Sequence, residues 1–222
     1  MGWAGSIVNS DDGDPVTFVS GQWTVPDVVP PPGDHGLSAC ATWIGIDDLG
    51  SDSGDILQTG TTQQVTYGHA PTTFAWFEWF PEDPVTVTNL SVRPGDVMYA
   101  LICVYSPVEA AVYLGNTTTG QLVSFIKDAP ENISLSGQTA EWVLECPQFE
   151  DGSFAILTKF GDVYFDNCIA GTSGRDPLQI VLAGTGTPLV MQGEIDGGNP
   201  VDIASPVPLN DRAFKVQYVA PG

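Results

Sequence analysis

The chain has 222 residues, of which 42% are hydrophobic, enough for a sizeable core and too many for a disordered chain. Six Lys and Arg face 27 Asp and Glu, a formal net charge of −21 at pH 7. That balance sets the chain against nucleic acid and anionic membrane as partners, since phosphate binding needs Lys and Arg, and no hydrophobic run is long enough to span a membrane.

In chain order, "GWAGSIV" near the start reads as a strand, and the Pro-rich "PDVVPPPGDHG" (26–36) as an extended loop. The segments "ATWIGIDD", "GDILQTG" and "FAWFEWFPE" follow. "PVTVTNLSV" (84–92) alternates at period two, "RPGD" turns, and "VMYALICVYS" (97–106) runs as a buried strand. "AVYLGNTTTGQLVSF" (111–125) reads as a hairpin around a polar turn. "EWVLECP", "FAILTKF", "DVYFDNCIA", "LQIVLA", "PLVMQGEI" and "FKVQYV" then come at short spacing. No long window repeats apolar residues at helical spacing. Many short strands separated by Gly, Pro, Asn and Asp predict an all-β sandwich or barrel. Without an internal repeat, residues 1–222 are expected to form one domain.

Period-two geometry sorts the side chains by face. In "ATWIGIDD", Trp43, Gly45 and Asp47 oppose Thr42, Ile44 and Ile46. In "FAWFEWFPE", Trp76, Glu78 and Phe80 oppose Ala75, Phe77 and Trp79. In "AEWVLECP", Glu141, Val143 and Glu145 oppose Trp142, Leu144 and Cys146, and Gln58 opposes Leu57. Each segment offers one apolar side for a core and one side carrying acids, amides and tryptophans. Carboxylates beside Trp suggest a groove with raised carboxyl pKa, suited to general acid or base work. A solvated acidic sheet face fits the same pattern.

The charge balance has a second consequence. By pH ~3 most carboxylates are neutral, and few basic residues are left to repel one another, so the composition fits an acid-adapted, exported protein. An acidic protein from a salty habitat is the alternative. Cys40, Cys103, Cys146 and Cys168 show neither CxxC nor a zinc spacing. Three disulfide pairings are open to them, and so are four buried free thiols. Asn89, Asn116 and Asn132 head N-x-[ST] sequons, which matter only in a eukaryotic source. His35 and His69 read as loop residues.

Seven segments resemble, in order, those of the glutamic peptidases, the eqolisin family (peptidase family G1) of acid endopeptidases. "GWAGSIV" and "VSGQWTVP" are similar to the family's first two strands, and "ATWIGIDD" to its A-W-V-G-I-D-G. "DILQTG" is similar to I-L-Q-T-G, "AWFEWFPE" to A-W-Y-E-W-Y-P, "NTTTGQ" to N-L-T-T-G-Q and "AEWVLE" to A-E-W-I-V-E. The resemblance implies a sandwich of two antiparallel sheets, a concanavalin A/lectin-like jelly roll, with the active site on the concave face. It implies a catalytic dyad of Gln58 and Glu141, with Trp43, Asp47, Trp76 and Glu78 lining and supporting the site. Glu141 would be general base to a water, and Gln58 would donate a hydrogen bond to the oxyanion, which an amide does at any acidity. Gln22 and Glu145 are rivals by residue type, but neither stands at the family's catalytic positions. "IDD" in place of I-D-G, "LEC" in place of V-E-D, and a "GSDSGD" without cysteine depart from fungal members and lean toward a prokaryotic one.

The expectation is a secreted, monomeric acid endopeptidase acting on protein and peptide substrates, with no metal, cofactor, nucleic acid or membrane partner. Two other classes stay open: a glycoside hydrolase using Glu78 and Glu141 as a carboxylate pair, and a carbohydrate-binding module using Trp43 and Trp76.

Overall fold

Alternating apolar residues become strand along most of the chain. The computed structural model describes residues 2–10, 13–33, 35–47, 55–148, 153–172, 179–182, 186–194 and 199–219. Its strands in chain order are β1 (Trp3–Asn9), β2 (Val16–Thr24), β3 (Val28–Val29), β4 (Leu37–Asp47), β5 (Ile56–Thr66) and β6 (Thr72–Trp79). Next come β7 (Val85–Thr86), β8 (Val97–Ser106), β9 (Glu109–Asn116), β10 (Gln121–Asp128), β11 (Thr139–Glu145), β12 (Ile156–Leu157) and β13 (Lys159–Phe160). The last are β14 (Val163–Thr172), β15 (Gln179–Leu182), β16 (Thr187–Leu189), β17 (Met191–Glu194), β18 (Pro200–Asn210) and β19 (Ala213–Tyr218).

Two large sheets result, as expected of a sandwich. The first runs β16-β1-β11-β4-β5-β6-β7, with β12 added parallel to β4. The second runs β10-β9-β8-β2-β14-β19-β18-β17, with β15 beside β14. Every other pairing in the two sheets is antiparallel. The interior between them holds Ile44, Ile46, Leu57, Trp79, Trp142 and Leu144 of the first sheet, packed with Val19, Trp23, Met98, Ile102, Leu114 and Phe165 of the second.

Two indoles tie the layers at β2. Trp142 of β11 donates from Nε1 to the Ser20 carbonyl at 2.8 Å, and Trp23 of β2 donates back to Thr61 Oγ1 of β5 at 3.0 Å. A Cβ on Gly21 would stand 2.8 Å from Trp142 Cδ1, so glycine is what lets the indole reach β2.

The structure corrects several sequence expectations. Of "PVTVTNLSV" only Val85–Thr86 is strand. Val87, Leu90 and Val92 are buried from an irregular segment, so their alternation reflects packing without a ladder. The loop at 26–36 contains β3, paired with β13. "FAILTKF" breaks at Thr158 into strands of different sheets, and "PLVMQGEI" breaks at Val190, where the chain passes from the first sheet to the second. Strand β18 escapes sequence reading because Pro206 and Pro208 sit in it. They are tolerated because β17 pairs only with residues 200–204, leaving that stretch of β18 an edge where no N–H is needed. The four cysteines are free thiols, three buried and Cys103 half-buried. Asn116 is also buried, its amide donating to Ser91 O and Asp96 Oδ2, which leaves no nitrogen accessible to a glycan.

Trp142→Ala is expected to cost about 3–5 kcal/mol in urea unfolding, as removal of a buried aromatic side chain does. A loss below about 1 kcal/mol, the ordinary size for a point mutant, would deny the indole its part in joining the sheets.

Candidate active site

Strand register builds one continuous row across the first sheet. Ile7 of β1 lies opposite Glu141 of β11, Glu141 opposite Gly45 of β4, Gly45 opposite Gln58 of β5, and Gln58 opposite Glu78 of β6. Opposed residues project to the same side, so three polar side chains rise from one face with a glycine among them. The next row is Gly5, Val143, Trp43, Gly60, Trp76 and Thr86. This face is turned away from the second sheet: Ile7, Trp43, Ile56, Trp76, Val143 and Leu189 form an apolar cluster made from the first sheet alone. The polar groups are sunk into it. Glu141 is 0% exposed, Trp76 6% and Gln58 8%.

The Gln58 amide is held in one orientation. Its Nε2 donates to Glu78 Oε2 at 2.6 Å. With Glu78 ionised, the reversed amide would set its carbonyl oxygen against the carboxylate. One N–H is thereby engaged, and Nε2 carries a second. Burial raises the Glu78 pKa above the usual carboxylate value, the Gln58 bond acts in the opposite direction, and nearby Asp83 adds to the rise. Gln58 Oε1 and Trp76 Nε1 are buried with no hydrogen-bond partner among the described residues. They are one acceptor and one donor, the complement of a peptide unit.

Trp43 is fixed from two directions. Its Nε1 donates to Glu145 Oε2 at 2.8 Å, and Trp3 meets its ring edge-on at 4.9 Å. Glu145, weighed in the sequence as a rival to Glu141, is the anchor of this indole.

Asp47 works differently from the other expected site residues. The β4–β11 ladder ends at the pair Ile46–Ala140, and just beyond it Asp47 turns with φ 73°. Its carboxylate accepts from Ser136 N at 2.6 Å, Ser136 Oγ at 2.8 Å, Gly137 N at 3.0 Å and Gln138 N at 2.8 Å. The fully buried Asp47 therefore anchors the segment entering β11, whose first residue, Thr139, stands two positions before Glu141.

The structure thus brings Gln58, Glu141, Glu78, Trp43 and Trp76 onto one face and ties Asp47 to the strand that carries Glu141. Sequence reasoning missed the anchoring of residues 136–138 and the part of Gly45, whose only signal was a glycine at an outward strand position. Gln22 lies on β2 of the other sheet, and His35 and His69 are exposed in loops. Burial pushes the thiols of Cys40 and Cys146 up to about 12 and about 11, leaving them protonated in acid and at neutrality. The expected departures at Asp48 and Gly50–Gly54 lie outside the described residues.

The model of the Peptidase A4 family matches residues 1–203. Scytalidopepsin B of Scytalidium lignicola is 30% identical over 183 residues, 78% of this chain; the chain spans 64% of that relative's length. The fold is similar to that of scytalido-glutamic peptidase crystallised with a peptide-based transition-state analog, with TM-score 0.77, 25% identity and 98% of each chain covered. It is also similar to aspergilloglutamic peptidase from Aspergillus niger, with TM-score 0.68 and 27% identity over 82% of this chain and 99% of that one.

Two outcomes follow from the site. Asp47→Ala strips three buried or half-buried N–H groups of their acceptor, and at about 1–3 kcal/mol for each orphaned group the loss should exceed about 3 kcal/mol; a urea midpoint within error of wild type would refute the anchor. The second concerns pH. Glu78 binds its proton more tightly folded than unfolded, so its contribution to stability is complete below the ordinary carboxylate pKa near ~4 and fades as pH rises through the raised value. The Tm of wild type should fall over that rise, and Glu78→Gln, which cannot ionise, should fall less steeply in scanning calorimetry.

Proposed function

The chain belongs to the Peptidase A4 family, and from that membership we propose that it is an acid-acting glutamic endopeptidase with Gln58 and Glu141 as its dyad. The observation that carries the reading is the row Glu141, Gly45, Gln58, Glu78, which sets a carboxylate and an oriented amide on either side of a position with no side chain.

Glu141 takes a proton from water as the water oxygen adds to the scissile carbonyl carbon. The carbonyl electrons move onto oxygen, and the second N–H of Gln58 donates to the oxyanion. Glu78 acts through Gln58, holding the amide so that this N–H faces the substrate. The tetrahedral intermediate collapses, the C–N bond breaks, and Glu141 returns the proton to the leaving amine. Trp43 and Trp76 supply apolar walls, and the Trp76 N–H and Gln58 Oε1 suit the carbonyl and N–H of a peptide backbone. A peptide-based analog bound by a relative supports a peptide substrate. With Lys127–Glu82 and Lys215–Asp162 the two ion pairs among the described residues, the excess of carboxylates favours work in acid, where they lose charge, and so an exported protein.

Denatured protein substrate should be cleaved at pH ~3 and not at pH ~7, where carboxylates are ionised. Gln58→Ala should lower kcat by about 10²–10³, the usual loss for one oxyanion donor, and Glu141→Ala should abolish turnover while both variants stay folded by circular dichroism. Cleavage by folded Glu141→Ala at the wild-type rate would end the assignment, and cleavage of polysaccharide alone would favour the glycosidase.

A further inference from the structure

The middle of the row is a glycine that the backbone does not demand. Gly45 lies inside β4 with a pairing partner on each side, and its φ lies outside the left-handed region. Glycine in a strand interior weakens the strand and contributes nothing to packing. Gly60, in the neighbouring row, makes the contrast. A Cβ there would stand 2.3 Å from Thr42 O and 2.5 Å from Trp43 Cβ, so close backbone approach alone requires a glycine. At Gly45 the nearest atoms to an added Cβ belong to side chains: Ile56 Cδ1 at 3.1 Å, Trp43 Cζ3 at 3.1 Å and Gln58 Cβ at 3.3 Å. A small adjustment of the first two would admit alanine.

What a side chain there would fill is the space between the two polar groups. Two strand spacings separate Glu141 from Gln58, about 10 Å between their backbones. Their side chains stand on either side of the bare Gly45 backbone, walled by Trp43 and Ile56.

We propose that Gly45 is a positioning residue whose missing side chain keeps open the place where the attacking water and the scissile carbonyl meet between Glu141 and Gln58. The proposal rests on the glutamic-peptidase reading of the same face. Gly45 touches no reacting bond; it leaves the floor of the reaction site to its backbone.

The test separates this role from packing. Gly45→Ala, Ile56→Val and the double variant are compared with wild type for Tm and for kcat and KM on a peptide substrate at acid pH. Ile56→Val removes the Cδ1 that the new methyl group would meet, so the double variant should recover the Tm of Ile56→Val. Its kcat should still lie about 100-fold below that of Ile56→Val, the scale of a 1 Å misplacement of reacting groups, with KM changed less than kcat. Recovery of kcat along with Tm would overturn the proposal, because the glycine would then serve packing alone. Failure of both alanine variants to fold would overturn it for the same reason. An inactive wild type sinks both readings; an active wild type that needs Gln58 and Glu141, with an active double variant, sinks only this one.

Discussion

The hydrogen bond from the Trp142 indole to the Ser20 carbonyl sets the register on which the rest of the molecule depends. Side chains alternate along a strand, so a slip of one residue in β11 would turn Glu141 into the interior and Trp142 out of it. The indole reaches its acceptor only because Gly21 has no Cβ, and only with β11 in this register. A packing decision between the two sheets therefore chooses which face of the first sheet carries a carboxylate. Adjacent residues of one strand serve the core and the opposite face, and neither can move without the other.

From that register the site follows by pairing. Glu141, Gly45 and Gln58 come from three strands, and Glu78 from a fourth, yet all sit at one level because each ladder is in phase with the next. The apolar cluster around them keeps solvent from the polar groups and strengthens each hydrogen bond they make. Burying acids this way needs partners, and the chain has few cations to offer. It uses N–H groups and amides instead: three backbone N–H groups and a hydroxyl for Asp47, a glutamine for Glu78, an indole for Glu145. Such partners do not titrate in acid, unlike the carboxylates they hold.

Most of the strands and the identity of the polar residues were legible in the sequence. Alternation in "ATWIGIDD", "FAWFEWFPE" and "AEWVLECP" assigned each side chain to a face, and the structure keeps Trp43, Trp76, Glu78, Glu141 and Gln58 on one face. The hairpin of β9 and β10 and the long strand β8 also followed from local pattern, since turn chemistry and period two act over a few residues. Local pattern failed where distant contacts decide. "PVTVTNLSV" alternates yet makes little ladder, β18 is a strand despite two prolines, and "PLVMQGEI" changes sheets at Val190.

The sequence by itself determined the strand periodicity, the two chemically distinct faces and the short list of groups able to do acid chemistry, because these depend on residue type and near neighbours. Only the tertiary structure decided which of those groups meet. Gln58 and Glu141 are 83 residues apart, by difference of their positions, and come to flank Gly45 in one row through two ladder registers that no local rule specifies. Asp47 shows the same limit: it shares a motif with Trp43, but the end of the β4–β11 ladder sends its carboxylate to the backbone of residues 136–138. Residue type sets what a side chain can do, and strand register sets what it does it to.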